Sequence, residues 1–323
     1  MSRAMTGKPR IFIDGQAGTI GLRLRDLLTS RADLELLEIE PARRKDAPAR
    51  AALLDAADVA ILCLPDDAAR EAVALITRPG ARVIDGSTAH RVSEGWVYGL
   101  PELLPGQREA IAGASRVGNP GCYPSGVALL LRPLIDAGLI AADAPISVHA
   151  LSGYSGGGQA MIDRWQSPEN GLRELVYEAP YALGRRHKHV PEMMRYGGLA
   201  REPQFVPAVG PFRCGMRVQI PVHAGLIARG QGPDALHAAL QGRYEGERFV
   251  RVLPFEPAAD LGERALDPQA CNDSNRVELR VLAHPSGHAL LVAVLDNLGK
   301  GAAGAAVQSL NLMLGLREDA GLV

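Results

Sequence analysis

A chain of 323 residues with 47% hydrophobic and 22% charged residues has ample material for packed cores, which excludes a disordered or fibrous protein. Thirty-five basic against 36 acidic residues leave a net charge of −1, so no overall field draws the chain to polyanions or anionic membranes, and nucleic acid and lipid are set aside as partners. The length suggests two domains, at roughly 100–200 residues each.

Residues 10–14 form a short apolar run that stops at glycines, and residues 19–28 then carry apolar side chains at helical spacing, which predicts strand, turn and helix. Strands predicted at 34–39, 59–64 and 82–84 alternate with helices at 49–57 and 68–76, and 114–117 adds one more strand. Such alternation predicts a doubly wound parallel-sheet α/β domain that binds a dinucleotide, with helices on both faces. Beyond Pro145, longer β-type runs at 146–151, 216–222, 276–283 and 289–295 predict a second α+β domain with a mainly antiparallel sheet, serving substrate and catalysis. The Gly/Ala-rich tail at 299–315 reads as a helix packed closely on the first domain. The domains are accordingly placed at 1–119, completed by 298–323, and at 120–297.

Cys63, Cys122, Cys214 and Cys271 lie far apart, without the close pairs of zinc sites or the density of a disulfide framework. The first ten residues, MSRAMTGKPR, carry charges but no apolar signal core, and the run at 289–295 is too short to span a bilayer. The expectation is a soluble protein of a reducing cytoplasm.

Gly15, Gly18 and Gly21 in GQAGTIG lie between a predicted strand and helix, where missing side chains permit a tight turn, close approach of a pyrophosphate and close helix–sheet packing. Thr19 and Ile20 open the helix within the same turn and join the expected cofactor contacts. After the second strand come Glu40 and then Arg43, Arg44 and Lys45, cations that suit a 2′-phosphate and favour NADP over NAD; the competing reading is a solvated charge run. Cys63 and Ser87 end the third and fourth strands, at the sheet edge where ligands of such folds bind. Cys63 reads as a packing residue rather than a second nucleophile.

Cys122 sits in NPGCYPSG, just ahead of an apolar helix predicted at 127–131. Amides at a helix N-terminus favour thiolate over thiol, and the thiolate is the nucleophile. In GRRHKHVPE, His187 and His189 are two apart, so on an extended backbone both would project from one face and could serve as general base and acid. No metal is expected, because no cysteine or carboxylate lies at ligand spacing from His187, His189, His149 or His223. Gly156 and Gly157 in SGYSGGGQ can present amides to an anion, and Asn297 offers an amide at the start of the terminal helix.

With NPGCYPSG, the glycine turn, HKHVPE and DNLGKGAAGAAVQSLNLM in one order, the chain resembles the N-acetyl-γ-glutamyl-phosphate reductase family of arginine biosynthesis, in its shorter type. The match runs over residues 10–314 and extends more distantly to aspartate-semialdehyde dehydrogenase. The resemblance implies NADPH-dependent reduction of an acyl phosphate, with Cys122 as the acylated nucleophile and a histidine of His187 and His189 as acid/base. His189 is favoured for its place beside the VPE turn. The resemblance also implies that Gly15, Gly18 and Gly21 meet the NADP pyrophosphate, that Asn297 lies near the nicotinamide, and that the protein forms homodimers or tetramers. Two positions depart from the pattern: Asp85-Gly86-Ser87 with Arg91 replaces a DLS-arginine string, and His149 stands where aspartate-semialdehyde dehydrogenases carry a substrate-orienting glutamine. Arg185, Arg186 and Arg217 are candidates for the substrate carboxylate by charge. Competing readings are the same chemistry on aspartyl or aminoadipyl phosphate, and an NADP-binding regulator without catalysis.

Overall fold

The computed structural model describes residues 7–255, 261–262 and 264–323, in two compact units: 1–120 with 302–323, and 121–301. The first six residues, part of the stretch without an apolar signal core, lie outside the described residues.

Unit 1 is built on strands β1 (Arg10–Asp14), β2 (Glu35–Leu37), β3 (Val59–Leu62), β4 (Arg82–Asp85), β5 (Val97–Tyr98) and β6 (Arg116–Gly118). They form one sheet in the order β2-β1-β3-β4-β6-β5, and every pairing is parallel. Helices α1 (Thr19–Thr29), α2 (Ala47–Ala56), α3 (Asp66–Leu75) and α4 (Gln107–Gly113) follow strands, as parallel pairing requires. Strand residues are apolar at successive positions because both faces are covered. Ile11, Ile13 and Ile61 pack with Leu24 and Leu28 of α1 and Ile111 of α4, while Phe12, Ala60 and Leu62 pack with Leu54 of α2 and Ala69 and Ala72 of α3. The β2 ladder is shorter than the predicted 34–39, although Leu34 and Ile39 at its ends are still buried.

Unit 2 opens with α5 (Cys122–Asp136), which starts five residues before the predicted helix because Tyr-Pro-Ser-Gly, turn-like in sequence, forms its first turn. There follow β7 (Ser147–Gly153), α6 (Gln159–Gln166), β8 (Ala179–Pro180), α7 (Val190–Gly197), β9 (Gln204–Gly210), β10 (Met216–Val222), α8 (Pro233–Tyr244), β11 (Val250–Val252), β12 (Val277–Ala283) and β13 (Ala289–Leu295). The sheet order is β11-β12-β13-β10-β7-β9-β8, mainly antiparallel, with parallel pairing at β7–β9 and β11–β12. Strand β9 escapes the sequence reading because Pro207 lies inside it, and proline argues against a strand interior.

The face of this sheet that carries Val218 packs on α5: a Cβ placed on Gly126 would lie 2.9 Å from Val218 Cγ2. Residues alternate in a strand, so Arg217 and Gln219 point to the opposite face, together with His149, which pairs with Gln219 and is exposed. The chain then makes a π-turn over Gly299–Ala303 and ends in α9 (Gly304–Leu314), whose Ala306, Val307 and Leu310 return to the core of unit 1 beside β1 and α1.

Candidate active site

Cys122 is the first residue of α5, after the N-cap Gly121, and no side chain caps this helix end. The thiol therefore stands at the positive end of the helix. The backbone there is fixed from two sides. The Gly121 amide donates to the buried Glu192 carboxylate of α7 at 2.7 Å, and Gly301 comes so close that a Cβ on it would lie 2.7 Å from Cys122 Cβ. Burial pushes the thiols of Cys63, Cys214 and Cys271 upward, with nearby carboxylates adding to each.

His187 and His189 do not lie on an extended backbone. They form a turn that enters α7, with His189 at its N-cap in helical conformation, and the two rings still meet at 4.9 Å between centroids. The string reads as alternating, but the proline at Pro191 is placed to start a helix, and the turn follows from that. The His189 amide donates to His187 Nδ1 at 3.2 Å, which leaves the proton of neutral His187 on Nε2, 3.3 Å from Tyr181 Oη. Tyr181 in turn donates to Tyr123 Oη at 3.2 Å. The network thus sets one direction from His187 to Tyr181 to Tyr123, the neighbour of Cys122 in the chain. His189 is buried and packs against the Tyr123 ring at 5.8 Å between centroids.

Burial, with Lys188 and Arg185 nearby, pushes His187 down to about 4. It is neutral at physiological pH. Burial also raises the phenols, Tyr181 to about 12 and Tyr123 well above its usual range, with Cys122 close enough to contribute to both. Tyr181 escaped the sequence reading, because no motif marks it and the loop that carries it lies outside every predicted element. Glu192 stood inside the HKHVPE string, but its backbone partner on another helix could not be read there.

The other expected residues of unit 2 divide. Arg185 is near enough to His187 to lower it, whereas Arg186 pairs with Glu202 on the surface at 2.9 Å. Arg217 and His149 point away from α5, on the opposite sheet face, and Arg217 donates to Gln219 and to the Leu266 carbonyl. The Asn297 amide is engaged at both ends: it accepts from the Gly215 amide at 2.8 Å and donates to Ser155 Oγ at 2.9 Å. Asn297 thereby fixes the turn that presents Gly156 and Gly157, both exposed ahead of α6.

In unit 1 the glycine turn borders a cleft of about 490 Å³. Gly15 has φ +88°, and a Cβ there would lie 2.3 Å from the Cys63 carbonyl oxygen; one on Gly21 would lie 2.4 Å from the Gly15 oxygen. Both glycines are thus demanded by packing, and Gly21 does not line the cleft. Gly18, the N-cap of α1, lines it and has room at 3.5 Å. Thr19 Oγ1 is buried at this helix start without a hydrogen-bond partner among the described residues, while Ile20 packs into the core. Cys63 lines the cleft, but the Ser87 hydroxyl is occupied, donating to the buried Asp85 carboxylate at 2.7 Å. Arg44 and Lys45 line the cleft; Arg43 turns outward to Asp46 at 3.3 Å. A glycine-walled helix start, an unmet hydroxyl and a cationic rim fit a phosphorylated dinucleotide.

Among the described residues, no cluster of three or more His, Cys, Asp or Glu is arranged to hold a metal ion, and no helix is long and apolar enough to cross a membrane.

Comparison with known proteins identifies the lineage. The model of the semialdehyde dehydrogenase dimerisation domain matches residues 122–297, and that of the semialdehyde dehydrogenase NAD binding domain matches residues 21–114. An N-acetyl-gamma-glutamyl-phosphate reductase of Burkholderia orbicola is 51% identical over 97% of this chain and 99% of its own. The chain belongs to the semialdehyde dehydrogenase family, on its N-acetyl-γ-glutamyl-phosphate reductase branch. N-acetyl-gamma-glutamyl-phosphate reductase 2 of a Nostoc species is 49% identical over 98% of this chain and 99% of its own. The semialdehyde dehydrogenase fold is also seen in solved structures. Aspartate semialdehyde dehydrogenase II of Vibrio cholerae superposes with a TM-score of 0.71 at 17% identity, over 96% of this chain and 99% of that one. The enzyme of Candida albicans, solved with NADP, gives 0.67 at 16% identity, over 95% and 99%.

Proposed function

We propose that this protein reduces N-acetyl-γ-glutamyl phosphate with NADPH to N-acetylglutamate 5-semialdehyde and phosphate, in arginine biosynthesis. Relatives near 50% identity over almost the full length of both chains support the substrate. The observation that carries the chemistry is a thiol at the uncapped start of α5, beside a directed His187–Tyr181–Tyr123 line and the ring of His189.

The Cys122 thiolate attacks the acyl carbon, a C–S bond forms, and the C–O bond to phosphate breaks with its electron pair leaving on phosphate. Gly15, Gly18 and the cationic rim would hold NADPH, which when bound would supply a hydride for the thioester carbonyl. His189 gives a proton to the carbonyl oxygen as it is reduced and takes it back as the C–S bond breaks, which frees the aldehyde and restores the thiolate. Backbone amides at the start of α5 stabilise the oxyanion. Glu192 holds that backbone in place, and neutral His187 orients Tyr181. Arg185 is the candidate of the three arginines that stays with this cluster. The protein works as a homo-oligomer in the cytoplasm; the family model's description as a dimerisation domain supports the former, and size-exclusion chromatography with light scattering checks it.

The test is phosphate-dependent NADP reduction with N-acetylglutamate 5-semialdehyde, aspartate semialdehyde and aminoadipate semialdehyde compared. The first should have the highest kcat/KM, by about 100-fold or more, since a site that pairs a substrate's polar groups rejects analogues lacking them. A higher value for either other aldehyde overturns the substrate, and NADPH binding without turnover of any would identify a regulator.

A further inference from the structure

The cationic run after β2 does not enter the cleft as a block, and the cation held most firmly there comes from elsewhere. Arg50, on α2, reaches the end of β1 and makes a bidentate pair with the Asp14 carboxylate, Nη2 to Oδ2 at 2.8 Å and Nε to the same oxygen at 3.1 Å. Both side chains are nearly buried, at 11% and 6% exposure, and both line the cleft. Nε and one edge of Nη2 are used by Asp14, and among the described residues Nη1 has no partner, so the outer edge of a fixed guanidinium is left to a ligand.

Arg44 lines the same cleft, and its Nε is buried without a hydrogen-bond partner among the described residues. Lys45 adds a flexible ammonium. Leu64, Pro65 and Ala68 also line the cleft, an apolar set of the kind that takes the face of a purine. Arg43, by contrast, is exposed and bound to Asp46, the residue whose carboxylate caps α2 by accepting from the Ala49 amide at 3.0 Å. Its work is at that helix end.

We propose that preference for the 2′-phosphorylated dinucleotide is set by Arg44, Lys45 and Arg50, with Asp14 as the residue that orients Arg50, and that Arg43 has no part in it. The inference rests on the NADPH reading above and names the residues that carry it. Arg and phosphate match in a planar, two-point geometry, and a guanidinium already anchored on one edge loses little freedom when it binds on the other. The alternative role of Arg50 is only to neutralise Asp14, so that a diphosphate of any kind can approach. The two roles differ in one readout, because neutralising Asp14 helps NADPH and NADH alike.

The experiment measures Kd for NADPH and for NADH by nucleotide fluorescence, without substrate, in the full chain and in R43A, R44A, R50A and R50K. R50A and R44A should weaken NADPH by about 20-fold each, as loss of a charge-assisted bond to phosphate predicts, and NADH by less than about threefold. R50K, which keeps charge but loses the fork, should fall between. R43A should move neither by more than about twofold. Equal losses for both nucleotides in R50A, or a tenfold loss of NADPH in R43A, overturn the proposal. Should R50A fail to fold with Asp14 left unpaired, the double variant D14N/R50Q removes both charges in similar volume, and it must lose the NADPH preference while retaining NADH affinity; an unchanged preference overturns the proposal. A wild-type chain that binds both nucleotides equally would overturn the cofactor reading itself, a result distinct from any pattern among the variants.

Discussion

Around Gly15, Gly18 and Gly21 the shape is set by side chains that are absent, whereas around Cys122 it is set by rings held in a hydrogen-bonded line. The first arrangement tolerates no added atom at two of its three glycines but asks little of hydrogen bonding. The second is intolerant of a changed proton position. The glycines that meet steric demands are visible as a local run in the chain, while proton positions depend on partners brought from several elements.

The largest effect should come from the second region. Cys122→Ser should lower kcat by about a thousandfold or more, as expected when a covalent nucleophile is removed, while NADPH Kd in a fluorescence titration stays within about twofold. Retained turnover would remove the thioester route. Next, His189→Asn should cost about 100-fold or more in kcat and His187→Asn less than about tenfold, since only the former carries the transferred proton. The reverse order in steady-state kinetics would exchange their roles.

The steric region should answer in stability instead. Gly21→Ala, whose Cβ meets the Gly15 oxygen at 2.4 Å, should lose about 2–3 kcal/mol in urea unfolding, and Gly18→Ala less than about 1 kcal/mol. Gly18→Ala should show its effect as weaker nucleotide binding. Iodoacetamide, followed by peptide mass mapping, should label Cys122 before Cys63, Cys214 or Cys271, whose thiols burial pushes up.

The smallest effect concerns pH. His187 is held near 4 in the folded chain against about 6.5 when unfolded, so between these values the unfolded state binds the extra proton and stability falls as pH falls. His187→Asn should flatten the decline in urea midpoint across that window. An unchanged slope would show that His187 is not held neutral.

Much of unit 1 was legible because its signals are local: a period of apolar residues, a glycine run and strand-ending turns. The position of Cys122 at a helix start was legible for the same reason. What escaped was contact across elements. Arg50 and Asp14 lie 36 residues apart and share no motif, yet the two are paired, and Gly121 meets Glu192 from a different helix. Within the arginine run adjacent residues on a turn point in different directions: Arg44 and Lys45 line the cleft and Arg43 pairs with Asp46. One-residue alternation sends Arg217 and His149 to the sheet face opposite Val218, a placement that charge and motif alone do not carry.

The return of α9 to unit 1 has a consequence for synthesis on the ribosome. Ala306, Val307 and Leu310 pack with Ile11 and Leu24, so the segment up to residue 120 must wait, incompletely packed, until α9 has been made. Unit 2, whose segments emerge in one continuous stretch, meets no such delay. A released chain truncated after residue 301 should therefore hold a protease-resistant 121–301 region tethered to a protease-sensitive amino-terminal one.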